Sequence, residues 1–296
     1  MINDLQSITT LGATYRRDGA IHIPGVVDEQ TLSEARRYFE WSMANPSPSS
    51  CEFYEDDRGT FYQDLCHPEA AHVYRNLLEN SILADVVAAL WGSDDVWFLY
   101  EQVFLKEGDA TRRTPWHQDS PYLALEGEKI AVVWINFDPV AQGQSLEFVR
   151  GSHLQTLYDG SAFDPDDDTK PIYDSGLERL PDIESNRSNY DILSWAVEPG
   201  DVVVFHPSTL HGGSPTVDGV RRRTLSLRFF GDDAVYAERP MPAPAPLVAG
   251  LHDNFRHGDA FRHRAFPKLR PSSNGFEDIP GQANYNQTLK AQIQRA

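Results

Sequence analysis

Two hydrophobic periods divide the chain. From Thr31 to about Trp41 the apolar residues Leu32, Ala35, Tyr38 and Phe39 recur at helical spacing, and Asp28 stands at the N-cap position. A second helical stretch is expected from Pro68 to about Trp91. Val73, Leu77, Leu78, Leu83, Val86, Val87 and Leu90 form its buried side, and Gly92 is its stop. Asp18 to Gly25 reads as a turn and a short strand, and the polar stretch from Asn45 to Asp64 as a loop. From Val96 the period becomes two. Strands are expected at Val96–Lys106, Lys129–Phe137, Ser145–Val149, Asp201–Phe205 and Arg223–Phe230, separated by Gly, Pro and Asp clusters.

Short strands without alternating helices argue for a sandwich or barrel rather than a parallel sheet. The expected organisation is one domain over 1–296. It has a helical region over about 1–95, a barrel core over about 96–235 and a tail over about 236–296. An insertion rich in Asp, Pro and Ser, about Tyr158–Ser194, interrupts the strands. Segments of that length inside compact domains often serve as lids. No internal repeat is visible.

Charge and composition narrow the partners. With 26 Lys and Arg against 44 Asp and Glu, the net charge is −18, which disfavours nucleic acid. Two cysteines, Cys51 and Cys66, do not make a disulfide framework. The first residues lack a basic stretch followed by an apolar run, and no apolar run approaches membrane-span length. The expectation is a cytoplasmic protein acting on a small molecule.

The chemistry concentrates in a few residues. Trp116-His117-Gln118-Asp119 places an imidazole and a carboxylate two positions apart, on one face if the segment is a strand. A third ligand is expected at His211, which comes shortly after the apolar run Val202–Phe205, at a strand end or turn, and is followed by two glycines. His206 is the nearest competitor, read as a hydrogen-bonded core or rim histidine, and His153 as a turn residue. Two histidines and one carboxylate on one face of an octahedron leave three positions open, which suits iron(II). Further on, Arg222, Thr224, Ser226 and Arg228 share a strand face opposite Leu225 and Leu227. An inward-facing arginine needs a carboxylate partner, and Arg222 is the expected anchor for one.

With these residues in view, the chain resembles the phytanoyl-CoA dioxygenase family of iron(II)/2-oxoglutarate oxygenases. The resemblance runs from about Asp18 to Asp233. It is carried by the Asp-Gly…Pro-Gly strand, His117-Gln118-Asp119, Gly151-Ser152-His153, Pro199-Gly200-Asp201, and His211-Gly212 with Arg222 beyond. It implies a mainly β protein with flanking helices, a double-stranded β-helix of the jelly-roll, cupin-like kind. It also implies Fe(II), 2-oxoglutarate and O2 as cofactor and cosubstrates, with His117, Asp119 and His211 as iron ligands. Arg222 would pair with the far carboxylate of 2-oxoglutarate, and Trp134 would line that pocket. Asn136, Gln102 and Lys106 would be further polar groups there. Two departures stand out: Gln144-Ser145 replaces an Asn-Gly pair, and Gly213 stands where some members place a hydroxyl.

The implied reaction is hydroxylation with release of succinate and CO2. Related halogenases replace the carboxylate ligand, so Asp119 argues against halogenation. Phe104, Trp116, Tyr122 and Phe229 could offer substrate surface, and Arg228, Arg112 and Arg113 suggest an acidic group on the substrate. A CoA thioester finds no basic track for its nucleotide. The alternatives are a zinc or nickel barrel hydrolase or isomerase, which would not need Arg222, and a non-catalytic metal-binding barrel.

Overall fold

The computed structural model describes residues 5–53, 59–108, 111–173, 175–217, 219–240 and 245–271. Parts of the expected tail, 241–244 and 272–296, lie outside the described residues.

The N-terminal region begins with helix α1 (Leu5–Asp18), which the sequence reading did not anticipate, followed by strand β1 (Ala20–Ile23) and helix α2 (Glu29–Ala44). Asp28 caps α2 by accepting the Thr31 N–H at 2.7 Å. The expected loop over 45–64 instead contains two strands, β2 (Cys51–Glu52) and β3 (Gly59–Leu65). Glu52, Gln63 and Asp64 obscure the alternation of these two strands, which form one edge of the larger sheet. The expected helix from Pro68 to Trp91 is two helices, α3 (Ala71–Asn80) and α4 (Leu83–Trp91), broken at Ser81, which is extended. Gly92 ends α4 in the left-handed conformation, φ 65°.

The remaining strands are β4 (Val96–Gly108), β5 (Thr114–His117), β6 (Leu125–Glu126), β7 (Ile130–Asn136), β8 (Leu146–Val149), β9 (Ile192–Ser194), β10 (Val202–Phe205), β11 (His211–Gly213), β12 (Arg221–Phe230), β13 (Val235–Tyr236) and β14 (Lys268–Arg270). The larger sheet runs β1-β10-β7-β12-β4-β3-β2, with β14 added to β4, and the smaller runs β5-β11-β8-β9. Every pairing within these two sheets is antiparallel. They are the two walls of a double-stranded β-helix.

Period two explains how the larger sheet is covered. Val103, Leu105, Val133, Ile135, Val202, Val204, Leu225 and Leu227 turn outward and pack against the four helices in one apolar cluster. Val132, Trp134, Val203 and Phe205 turn inward to meet Leu146 and Phe148 of the smaller sheet. Strands buried on both faces read as unbroken apolar runs, as Val202–Phe205 does. A bulge between Arg228 and Phe229 shifts the register against β4. Beyond it, Phe230 joins a third cluster with Leu99, Leu247, Phe261 and Phe266, so the segment 245–271 seals one end of the barrel.

The insertion is mostly irregular but well tied. Asp159 accepts from Ser175 N and Oγ at 2.9 and 2.7 Å, and Arg112 reaches across to Asp168 at 2.5 Å. No described helix is long and apolar enough to cross a membrane.

Candidate metal centre and cosubstrate pocket

His117 ends β5 and His211 opens β11, and the two residues are partners across that antiparallel pair. Their ring centroids are 4.2 Å apart. Asp119 reaches the same point by a different route from the one expected. The chain leaves β5 at His117, and Asp119 adopts a helical backbone at the start of a short 3-10 turn. A turn, not strand alternation, therefore aims the carboxylate. Its backbone N–H donates to Pro207 O at 2.7 Å, and the intervening Gln118 side chain locks the turn by bonding Ser208 O, Thr156 O and Tyr158 N.

The Nε2 atoms of His117 and His211 lie 3.6 and 3.8 Å from Asp119 Oδ1. One ion bonded at about 2.0–2.2 Å to each atom can span such gaps. Each histidine donates through Nδ1 to a backbone carbonyl, Pro115 O at 2.8 Å and Thr209 O at 2.9 Å. That leaves both Nε2 lone pairs facing the carboxylate, with the rings oriented by their outer hydrogen bonds. Burial and the neighbouring His117 push His211 down to about 3, so it is a neutral ligand at ordinary pH. Among the described residues these three are the only His, Cys, Asp and Glu group close enough to hold a metal ion. Two imidazoles and a carboxylate fit iron(II), and the donor set leaves coordination positions open.

Arg228 was expected to greet a substrate acid, but it is already engaged. Its guanidinium donates to Asp119 Oδ2 at 3.1 Å and lies 4.6 Å from the Tyr100 ring centroid. Burial works against the Asp119 carboxylate, yet Arg228 and the two histidines hold its pKa below the ordinary range.

Arg222 has the opposite character. It is buried, donates to the carbonyls of Gln144 and, at 3.4 Å, Ser214, and pairs with no carboxylate among the described residues. Burial pushes its pKa down to about 10. Lys106 is its direct partner across β4 and β12 and is also buried, donating to Arg112 O at 2.8 Å and Thr114 Oγ1 at 3.2 Å. Burial and the charge of Arg222 drive the Lys106 pKa well down. Two buried basic groups thus stand side by side with no carboxylate paired to either among the described residues, an arrangement whose chemistry fits a carboxylate ligand. Arg221 and Arg223 face the other way and pair with Glu107 and Asp138.

A family model described as phytanoyl-CoA dioxygenase (PhyH) matches residues 15–224. The chain belongs to the phytanoyl-CoA dioxygenase family. Human peroxisomal phytanoyl-CoA dioxygenase is 26% identical over 137 residues, covering 44% of this chain and 37% of the human protein. A probable phytanoyl-CoA dioxygenase of Caenorhabditis elegans is 23% identical over 242 residues, 74% of each chain. Among solved structures, the epimerase SnoN from nogalamycin biosynthesis, in complex with Fe3+, alpha ketoglutarate and nogalamycin RO, superposes with a TM-score of 0.66. It is 22% identical, covering 90% of this chain and 100% of SnoN. EctD from S. alaskensis, with 2-oxoglutarate and 5-hydroxyectoine, gives a TM-score of 0.60 at 18% identity over 84% of each chain.

In this phytanoyl-CoA dioxygenase family member the other expected pocket residues divide. Trp134 lines the cavity and stacks on Phe104, ring centroids 5.0 Å apart. Gln102 lines it too and donates to Gln63 Oε1 at 2.7 Å. Asn136 does not line it. Its Oδ1 accepts from Trp134 Nε1 at 3.3 Å and Thr224 Oγ1 at 3.0 Å, so it steers the indole from behind. Gly213 leaves space that a neighbouring strand fills, since a Cβ there would sit 3.0 Å from Thr114 Oγ1 and 3.5 Å from Arg222 Nη2. Thr114 thus brings a hydroxyl to the cavity wall beside the position where some members carry one on β11.

Other expectations fail. Phe229 turns outward into the helix-packed core, and Trp116 packs with Val149, Leu180, Ile183 and Leu210 while donating to Glu184 at 3.1 Å. Arg112 is bound to Pro165 O and Asp168, and Arg113 to Glu147 and Glu184. Two expectations hold: His153 lies in a 3-10 turn, and His206 is a core histidine bonded to Gly127 O at 3.1 Å, pushed down by burial to about 4. His153 bonds Arg16 O at 3.1 Å. The reading missed Phe61 and Gln63 on β3, which the supposed loop concealed, and Phe163, Ile172 and Tyr173, which the insertion carries into the cavity.

Proposed function

We propose that this protein oxidises a C–H bond of a small organic molecule, using iron(II), 2-oxoglutarate and O2, with release of succinate and CO2. The observation that carries the reading is the buried Arg222, without a carboxylate of its own, in the same cavity as the His117-Asp119-His211 triad. A barrel hydrolase has no use for such a cation. The triad would hold the metal, and Arg222 with Lys106 would receive the far carboxylate of 2-oxoglutarate. Thr114 would add a hydroxyl at that end, and Trp134, held by Asn136, would flank it. Bound iron and 2-oxoglutarate would supply the oxidising power.

The protein's part is orientation and exclusion of water. Arg228 holds one Asp119 oxygen, leaving Oδ1 for the metal. Asp119 occupies a position that a halide would need, which favours hydroxylation or another oxidation over halogenation. The acidic-substrate expectation loses support, because Arg228, Arg112 and Arg113 are all paired.

Anaerobic titration of the metal-free protein with iron(II) and then 2-oxoglutarate tests the reading. A weak visible metal-to-ligand charge-transfer band should appear, vanish in His211→Ala and weaken strongly in Arg222→Ala. No band in folded, iron-loaded protein would sink the proposal.

A further inference from the structure

The cavity before the triad is larger than the cosubstrate needs. It measures about 600 Å³, within the range of roughly 300–1,000 Å³ that holds drug-sized ligands. Away from the Lys106–Arg222 pair its walls are largely apolar: Phe53 follows β2, Phe61 and Leu65 come from β3, and Tyr122, Ile172 and Leu247 also line it. Among the described residues the charged groups on the wall, histidines apart, are Lys106, Asp119, Arg222 and Arg228. Asp119 and Arg228 are bound to each other, and Lys106 and Arg222 stand together at the cosubstrate end. With the cosubstrate in place, no ionised side chain among the described residues of the wall is left over for a second ligand.

Phe163 occupies a distinctive place in this wall. It lies in the insertion with φ 51°, a conformation that bulky residues rarely adopt and that persists only where the surroundings fix it. Its backbone N–H donates to Ser161 Oγ at 3.0 Å. Its ring meets the metal-ligating His117 edge-on at 5.2 Å and the Phe53 ring at 5.6 Å. The strained backbone therefore delivers an uncharged aromatic surface to the boundary between the triad and the apolar chamber.

We infer that the substrate is an uncharged, largely apolar molecule and that Phe163 packs against it beside the metal centre. The word substrate rests on the oxygenase reading, whereas the preference for an uncharged occupant belongs to the cavity and is measurable without iron. Once 2-oxoglutarate occupies Lys106 and Arg222, a second carboxylate entering this chamber would be stripped of water with no free cation among the described residues to meet it.

The test uses the full-length protein, metal-free and with excess 2-oxoglutarate present to occupy Lys106 and Arg222, with the neutral dye Nile red as reporter and a matched pair of competitors, naphthylacetamide and naphthylacetate. The amide should displace the dye at a concentration at least about tenfold lower than the acid, a gap of ~1.4 kcal/mol. Phe163→Ala should weaken amide binding severalfold and Phe163→Leu much less, with the iron and 2-oxoglutarate charge-transfer band retained in both as the check on folding. Equal or tighter binding of the acid, or no dye binding to folded protein, overturns the substrate class. Unchanged amide affinity in Phe163→Ala overturns the role of that ring. If the band never forms while the neutral preference holds, the oxygenase reading falls and the cavity assignment stands.

Discussion

Replacing Arg222 with Met should make the metal-free protein more stable and the cosubstrate bind far more weakly. The guanidinium is buried without a carboxylate, and burial pushes its pKa from 12.5 to about 10. At ~1.4 kcal/mol per tenfold change, keeping it charged costs the fold about 3 kcal/mol. Methionine removes that cost and the repulsion on Lys106. It also strips a donor from the carbonyls of Gln144 and Ser214, a loss of roughly 1–2 kcal/mol. The balance is a gain of about 1–2 kcal/mol, or a few degrees in Tm for a chain of this size. Losing one partner of a buried charge pair costs about 2–5 kcal/mol in binding, so 2-oxoglutarate affinity should drop by roughly 30-fold to several thousand-fold. Differential scanning calorimetry reads both effects: the metal-free variant should melt above the parent, and the rise in Tm that 2-oxoglutarate gives the iron-loaded parent should be lost. A variant that melts lower, or that keeps the full ligand-induced rise, would refute the view of Arg222 as a cation awaiting an anion.

Burial pushes His206 down to about 4, so its stabilising contribution is complete above about pH 6.5 and is lost as pH falls toward 4, about 2 kcal/mol by pH 5. Glu101, pushed up to about 7 by burial, slopes the other way, its contribution being full below about pH 4.5 and lost through pH 7. Between pH 7.5 and 5 the two nearly cancel in the parent, so urea midpoints there should almost coincide, whereas His206→Gln should be the more stable at pH 5 by about 2 kcal/mol; an equal pH difference in both proteins would contradict the assignment. Asn136→Ala should free the Trp134 ring and raise KM for 2-oxoglutarate about fivefold with kcat little changed, the worth of ~1 kcal/mol of hydrogen bonding. A fall in kcat at unchanged KM would place Asn136 elsewhere. Gly213→Ser crowds Thr114 Oγ1 and should weaken 2-oxoglutarate binding, whereas Gly213→Ser with Thr114→Gly should recover most of it. If the double variant binds no better than Gly213→Ser alone, the two hydroxyl positions are not equivalent.

The sequence disclosed most where burial on two faces leaves a period. The unbroken run Val202–Phe205 and the alternation of Arg222 to Arg228 with Leu225 and Leu227 are direct prints of a sheet with helices on one side and a cavity on the other. It disclosed least at edges and corners. The polar residues of β3 hid a strand whose Phe61 and Gln63 line the cavity. The helix break at Ser81 is silent because the apolar period continues from Leu78 to Leu83 on both sides of it. His117 and Asp119 were paired by an argument about strand faces, while the carboxylate is aimed by a turn that Gln118 pins. Arg228 could be placed facing inward, but its engagement by Asp119 joins residues 109 positions apart and has no local signature.

Strand β12 carries Arg222 and Arg228 on the same face, one proposed to receive the cosubstrate and one bonded to the triad carboxylate Asp119. Inserting or deleting a single residue between them would turn one arginine toward the helices and leave its client unattended. Length variation in descendants of this chain should therefore accumulate between strands, as the 158–194 insertion does, while the count from 222 to 228 is inherited unchanged. The spacing of these two arginines is a ruler by which a distant relative with the same division of labour could be recognised after most other positions have drifted.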